Sequence, residues 1–73
     1  MVENGNIDQA HHMGHANRAL EETLSLEEAV EEAISKINLD DTLIIVTADH
    51  SHTLTINGYP KRGQDIRGKN CKE

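Results

Sequence analysis

Two short stretches hold most of the side chains able to ligate a metal: Glu3, Asp8, His11, His12 and His15 in one, Asp49, His50 and His52 in the other. Carboxylate oxygens mixed with imidazole nitrogens suit zinc and its divalent neighbours, whereas an all-oxygen set would favour magnesium or calcium. Helical residues four apart lie one above the other, so Asp8 with His12 could grip one ion, and so could His11 with His15. Spacing does not choose between the two pairs. Asp49 and His50 are neighbours, and neighbours in a regular strand point to opposite faces, so they share an ion only where a strand has ended. Either cluster alone has an ordinary explanation as solvated side chains, Glu3 near a terminus and His52 on a surface; their coincidence is more telling. Ser51 lies between two histidines but lacks the Gly-x-Ser-x-Gly elbow of a nucleophile and is set aside. Gly5 and Gly14 read as turn or close-packing glycines rather than phosphate binders.

The intervening sequence must position these groups. Ala16, Ala19, Leu20, Thr23, Leu26, Val30, Ala33, Ile34 and Ile37 fall within one arc of roughly 140° at helical periodicity. Glu21, Glu22, Glu27, Glu28, Glu31 and Glu32 cover mainly the other side. That pattern predicts a long amphipathic helix over residues 11–37 with one buried face. Ser25 with Glu28 also fits a capping box that would split it, but the unbroken phase of the stripe favours one helix. Residues 38–41 read as a polar turn. Residues 42–48, Thr-Leu-Ile-Ile-Val-Thr-Ala, read as a strand buried on both faces, as in a parallel sheet. A second short strand is expected at residues 53–56, and a preceding one ending near Val2 and Glu3. The class predicted is therefore α/β: strand end, long helix, buried strand. Ligands of open parallel sheets bind beyond the carboxyl ends of strands, which would bring both clusters to one edge.

Composition narrows the possibilities. The 73 residues carry 13 acidic and 7 basic side chains, a formal charge of −6, which disfavours nucleic acid as a partner. Leucine, isoleucine and valine number 16, and Tyr59 is the sole aromatic ring besides the histidines. At that level, just above the roughly 20% where disorder becomes the default, the core is thin, and a metal or partner is expected to supply part of the folding free energy. No apolar run approaches the roughly 20 residues of a membrane-spanning helix, and no basic, apolar leader follows Met1. The lone Cys71 has no internal disulfide partner and no metal-binding Cys-x-x-Cys spacing.

Two segments resemble the metal-binding segments of alkaline phosphatases: Val-Glu-Asn-Gly-Asn-Ile-Asp-Gln-Ala-His-His at residues 2–12, and Val-Thr-Ala-Asp-His-Ser-His at residues 46–52. The likeness extends through Gly-Tyr-Pro-Lys-Arg-Gly at 58–63 and is strongest to animal-type, invertebrate-like enzymes. Sulfatases and phosphoglycerate mutases share an Asp-His pair at a strand end, but the second segment resembles alkaline phosphatase proper. Residues 1–66 are thus expected to be part of a three-layer, parallel-sheet catalytic domain, and residues 67–73 a basic tail.

By motif position, the resemblance implies that Glu3 helps hold magnesium, that Asp8 and His12 bind a first zinc, and that Asp49 and His50 bind a second. His52 would orient the Asp8 carboxylate, while His11 and His15 would be near-site or surface residues. Asn4 and Asn6 depart from the family's usual residues beside the site. The implied activity is hydrolysis of phosphate monoesters through a phosphoserine, with two zinc ions and one magnesium ion per site in the parent protein. The parent is expected to be a homodimer at the cell surface, outside the cell, with any membrane attachment through a GPI anchor outside this chain. The nucleophilic serine segment, the metal-bridging aspartate, the phosphate-binding arginine and the last zinc-binding histidine have no counterparts here. The chain is therefore expected to be a fragment, inactive alone. The competing expectations are a non-catalytic divalent-metal-binding module and another hydrolase of the same superfamily.

Overall fold

The computed structural model describes residues 1–55 and 58–67, and its regular structure there consists of two helices, α1 (Asn6–His12) and α2 (Ala16–Lys36). The single helix expected over residues 11–37 is corrected. Gly14 takes a φ of +67°, the left-handed conformation that glycine alone adopts without a steric penalty. Around it the Gly14 N–H donates to the His11 carbonyl at 3.0 Å and the His15 N–H to the Ala10 carbonyl at 2.9 Å. This paired closure is a Schellman motif, and it satisfies the carbonyls that the end of α1 would otherwise leave bare.

Helix α2 begins at once and runs through Ser25 without interruption, so the capping box there is not used. Thr23 instead donates its hydroxyl to the Ala19 carbonyl one turn back, at 2.7 Å. On the outer face Lys36 pairs with Glu32 at 2.6 Å, an exposed contact worth a few tenths of a kcal/mol. The helix ends where Ile37 becomes extended (φ −117°, ψ 162°). Residues 38–41 form the expected polar turn, with Asn38 Oδ1 accepting from the Asp40 N–H at 3.0 Å and the Asn38 carbonyl from the Thr42 N–H at 3.0 Å.

The two helices pack through small residues: among the described residues only Ala10 and Ala19 are fully buried apolar groups. Asn4 ties the incoming chain to this pair. Its Nδ2 donates to the Glu22 carbonyl at 2.7 Å, while its Oδ1 accepts from the Asn6 N–H at 3.2 Å. The apolar stripe of α2 is only partly covered, and Leu20 and Ile34 remain 49% and 44% exposed.

No strand forms among the described residues. The run at 42–48 carries no regular structure, and Leu43, Ile45 and Val46 are 83%, 76% and 60% exposed. The physical reason is that a strand exists by virtue of its ladder partners, and the described segments supply none. Residues 1–4 and 53–55 are likewise irregular; Ile56, at the end of the second expected strand, lies outside the described residues. Of the expected basic tail, Arg67 is described, held by Asp65 at 2.7 Å, and residues 68–73, Cys71 among them, are not.

Candidate metal centre

Helix α1 sets the geometry of the site. Asp8 occupies its first turn, where a carboxylate complements the positive end of the helix, and His12 is its last residue. One turn apart, they meet: His12 Nε2 lies 3.2 Å from Asp8 Oδ2. The segment after residue 48 then crosses α1 and presents His52, whose Nε2 lies 3.2 Å from the other oxygen, Oδ1. His50 Nε2 is 3.6 Å from Asp8 Oδ1 and 3.6 Å from Asp49 Oδ2. The carboxylate of Asp8 thus divides its oxygens, one toward the helix and one toward the distant segment.

These distances suit an ion. With bonds of about 2.0–2.1 Å, a tetrahedral zinc separates two of its ligand atoms by about 3.3 Å, close to the Asp8–His12 spacing. Asp8, His12 and His52 each offer one donor atom, all within 4.8 Å of one another. Among the described residues the buried Nδ1 of His52 has no hydrogen-bond partner. The tautomer with its hydrogen on Nε2 donates toward Asp8 and leaves no buried N–H without an acceptor. The carboxylate and imidazole donors of Asp8, His12 and His52 are of the kind and spacing that could hold a divalent cation.

Asp49 and His50 lie beside this group but more openly, with side chains 91% and 54% exposed. His50 Nδ1 lies 2.9 Å from the Ser51 carbonyl, which only accepts, so Nδ1 donates and Nε2 is left to face a cation. The Ser51 carbonyl chiefly, then Asp49, raise the His50 pKa above the ordinary imidazole value; desolvation opposes them, and Asp8 adds a lesser upward push. Glu3 is exposed and stands outside the three-residue group.

The structure also separates the two pairs that spacing left equal. Helix α1 stops at His12, so His15 is not one helical turn from His11 but heads α2, exposed. His11 directs Nδ1 to the Ile7 carbonyl at 2.7 Å and stacks its ring on His52, with centroids 5.2 Å apart and planes 20° from parallel. That stacking had no sequence signal beyond the adjacency of His11 to His12.

The donor set, built on a short helix and a returning segment, is one that could hold a divalent cation. The family model described as alkaline phosphatase matches residues 1–72, and the chain belongs to that family, which is metal-dependent. It is 52% identical over 68 residues to alkaline phosphatase 4 of Drosophila melanogaster, covering 93% of this chain and 11% of that protein. The membrane-bound alkaline phosphatase of Bombyx mori is 46% identical over 67 residues, covering 92% of this chain and 12% of its own length. The human tissue-nonspecific isozyme is 47% identical over 68 residues, covering 93% and 13%. The chain therefore spans about one-eighth or less of the length of these relatives. No solved structure matches it.

Proposed function

We propose that the chain is the part of a phosphomonoesterase that supplies ligands to two zinc ions and one magnesium ion. Asp8 and His12 hold the first zinc, Asp49 and His50 the second, and Glu3 contributes to magnesium. His52 acts through Asp8, holding Oδ1 so that Oδ2 is presented to the ion. The observation that supports this reading above all is the division of the Asp8 oxygens between His12 and His52, both at 3.2 Å. When bound, the paired cations neutralise charge on a phosphate monoester and on the attacking and leaving oxygens of its displacement. The residues of this chain bind and orient; the nucleophilic serine belongs to sequence outside it, and the 73 residues alone turn over no substrate.

In the complete enzyme, residues 1–66 belong to a parallel-sheet α/β domain in which the run at 42–48 is an interior strand. The exposure of Leu43, Ile45 and Val46 supports that placement, because such a run is stable only when neighbouring strands and helices cover it. Among the described residues no helix is long and apolar enough to cross a membrane. The silkworm relative is named membrane-bound, which supports membrane association of the complete enzyme; the cell-surface location, the lipid anchor outside this segment and the homodimer rest on the family resemblance alone.

The test is to express the uninterrupted reading frame containing residues 1–73 and assay a chromogenic phosphate ester, beside the 73-residue chain alone. Chelator-sensitive turnover by the longer protein, abolished by Asp8→Asn and absent from the short chain, is expected. Turnover indifferent to Asp8→Asn and His12→Ala would overturn the assignment.

A further inference from the structure

We infer that His11 is a positioning residue of this centre: its ring, locked to the backbone of α1, is the platform that holds His52 in register with Asp8. The inference rests on the reading of Asp8 and His12 as metal ligands. The Ile7 carbonyl can only accept, so the 2.7 Å contact makes Nδ1 of His11 the donor, fixes its tautomer and ties the ring to the backbone of α1. The His11 ring lies nearly parallel to His52 at 5.2 Å, while His12 meets the same His52 ring edge-on at 4.6 Å and 89°. His52 needs such support. Its side chain is only 18% exposed, and among the described residues its polar contact is Nε2 to Asp8 while its buried Nδ1 has no hydrogen-bond partner. A single contact sets which nitrogen faces Asp8 but leaves the ring free to tilt about it. The His11 face and the His12 edge remove that freedom.

The test compares zinc affinity of the full 73-residue chain with that of His11→Ala, His11→Phe and, as a control on a histidine away from the cluster, His15→Ala. Affinity is read by competition with a chromogenic chelator, and the His52 Nε2–H by nitrogen-15 NMR of the imidazoles. His11→Ala is expected to weaken zinc binding by about threefold to tenfold and to speed exchange of the His52 proton. His15→Ala is expected to leave both readouts near the unsubstituted values, and His11→Phe, which keeps the ring face but loses the bond to Ile7, to recover most of the affinity that His11→Ala loses. Should His11→Ala also lose helicity, His11→Phe decides: retained affinity supports the platform, and lost affinity overturns it. Equal affinity and exchange in His11→Ala and the unsubstituted chain would overturn the inference alone. Failure of the unsubstituted chain to bind zinc would overturn the metal reading and the inference together.

Discussion

Asp8 and His52, carried by separate segments of the chain, meet at 3.2 Å between Oδ1 and Nε2. The contact joins the first turn of α1 to the segment that follows the apolar run, and it leaves the other Asp8 oxygen facing His12. A residue that orients a metal ligand contributes without touching the metal, by removing rotational freedom the ion would otherwise have to overcome.

Replacing His52 should therefore weaken zinc binding without abolishing it. His52→Ala is expected to cost about 10- to 100-fold in zinc affinity, and Asp8→Ala more, as measured by chelator competition. Equal losses in the two variants would make His52 a ligand in its own right.

Gly14 terminates α1 by adopting a φ of +67°, and a Cβ placed there would meet nothing within 4 Å. The cost of Gly14→Ala is then that of its own backbone conformation, about 1 kcal/mol, rather than a clash with other parts of the chain. A lower midpoint in thermal melts of the zinc-loaded chain, followed by circular dichroism, is expected, with Gly14→Asn intermediate. An unchanged midpoint in Gly14→Ala would mean that the helix break does not depend on this residue.

The same glycine shows how far the sequence could be read. The course of α2 was legible because its apolar residues recur at helical period over many turns. The break before it was not, because residues 11–15 carry histidine, methionine and glycine and no apolar rhythm to lose phase. With the break unseen, Asp8/His12 and His11/His15 were equivalent by spacing; the end of α1 at His12 separates them. The nearness of the two clusters was expected from the edge of a parallel sheet. In the structure Asp8, His12, His50 and His52 come together with no strand among the described residues. The composition of residues 42–48 reports an environment that would cover them, not which segments provide it. The stacking of His11 on His52 depends on how a distant segment crosses α1, which no local pattern encodes.

In the proposed centre, zinc and protons would compete for His50. Its raised pKa stems chiefly from the Ser51 carbonyl, with Asp49 and Asp8 adding to it. The resulting preference for the folded, protonated form is present below the unfolded value of about 6.5 and is lost as pH rises through the raised value; for so exposed a group its effect on stability is small. Metal binding runs the other way, since Nε2 must be unprotonated. Occupancy of the Asp49–His50 site should fall as pH drops through a value above about 6.5. Zinc stoichiometry against pH, beside an NMR titration of His50 in the metal-free chain, checks this. A His50 midpoint below that of a free imidazole would contradict it.

Leu43, Ile45 and Val46 form an exposed, uncharged, β-prone run, the composition that pairs with copies of itself when left uncovered. Ile45→Lys should slow fibre formation by the 73-residue chain, followed by thioflavin fluorescence, without changing its zinc affinity. Identical aggregation kinetics would locate the self-association elsewhere.

The most direct measurement is an anomalous-difference map, collected at the zinc edge, from crystals of the zinc-loaded protein containing residues 1–73. It is expected to show one peak about 2.0–2.2 Å from a carboxylate oxygen of Asp8 and a ring nitrogen of His12, and a second at Asp49 and His50. Peaks coordinated by other residues, with Asp8 and His12 paired only to each other, would contradict the account.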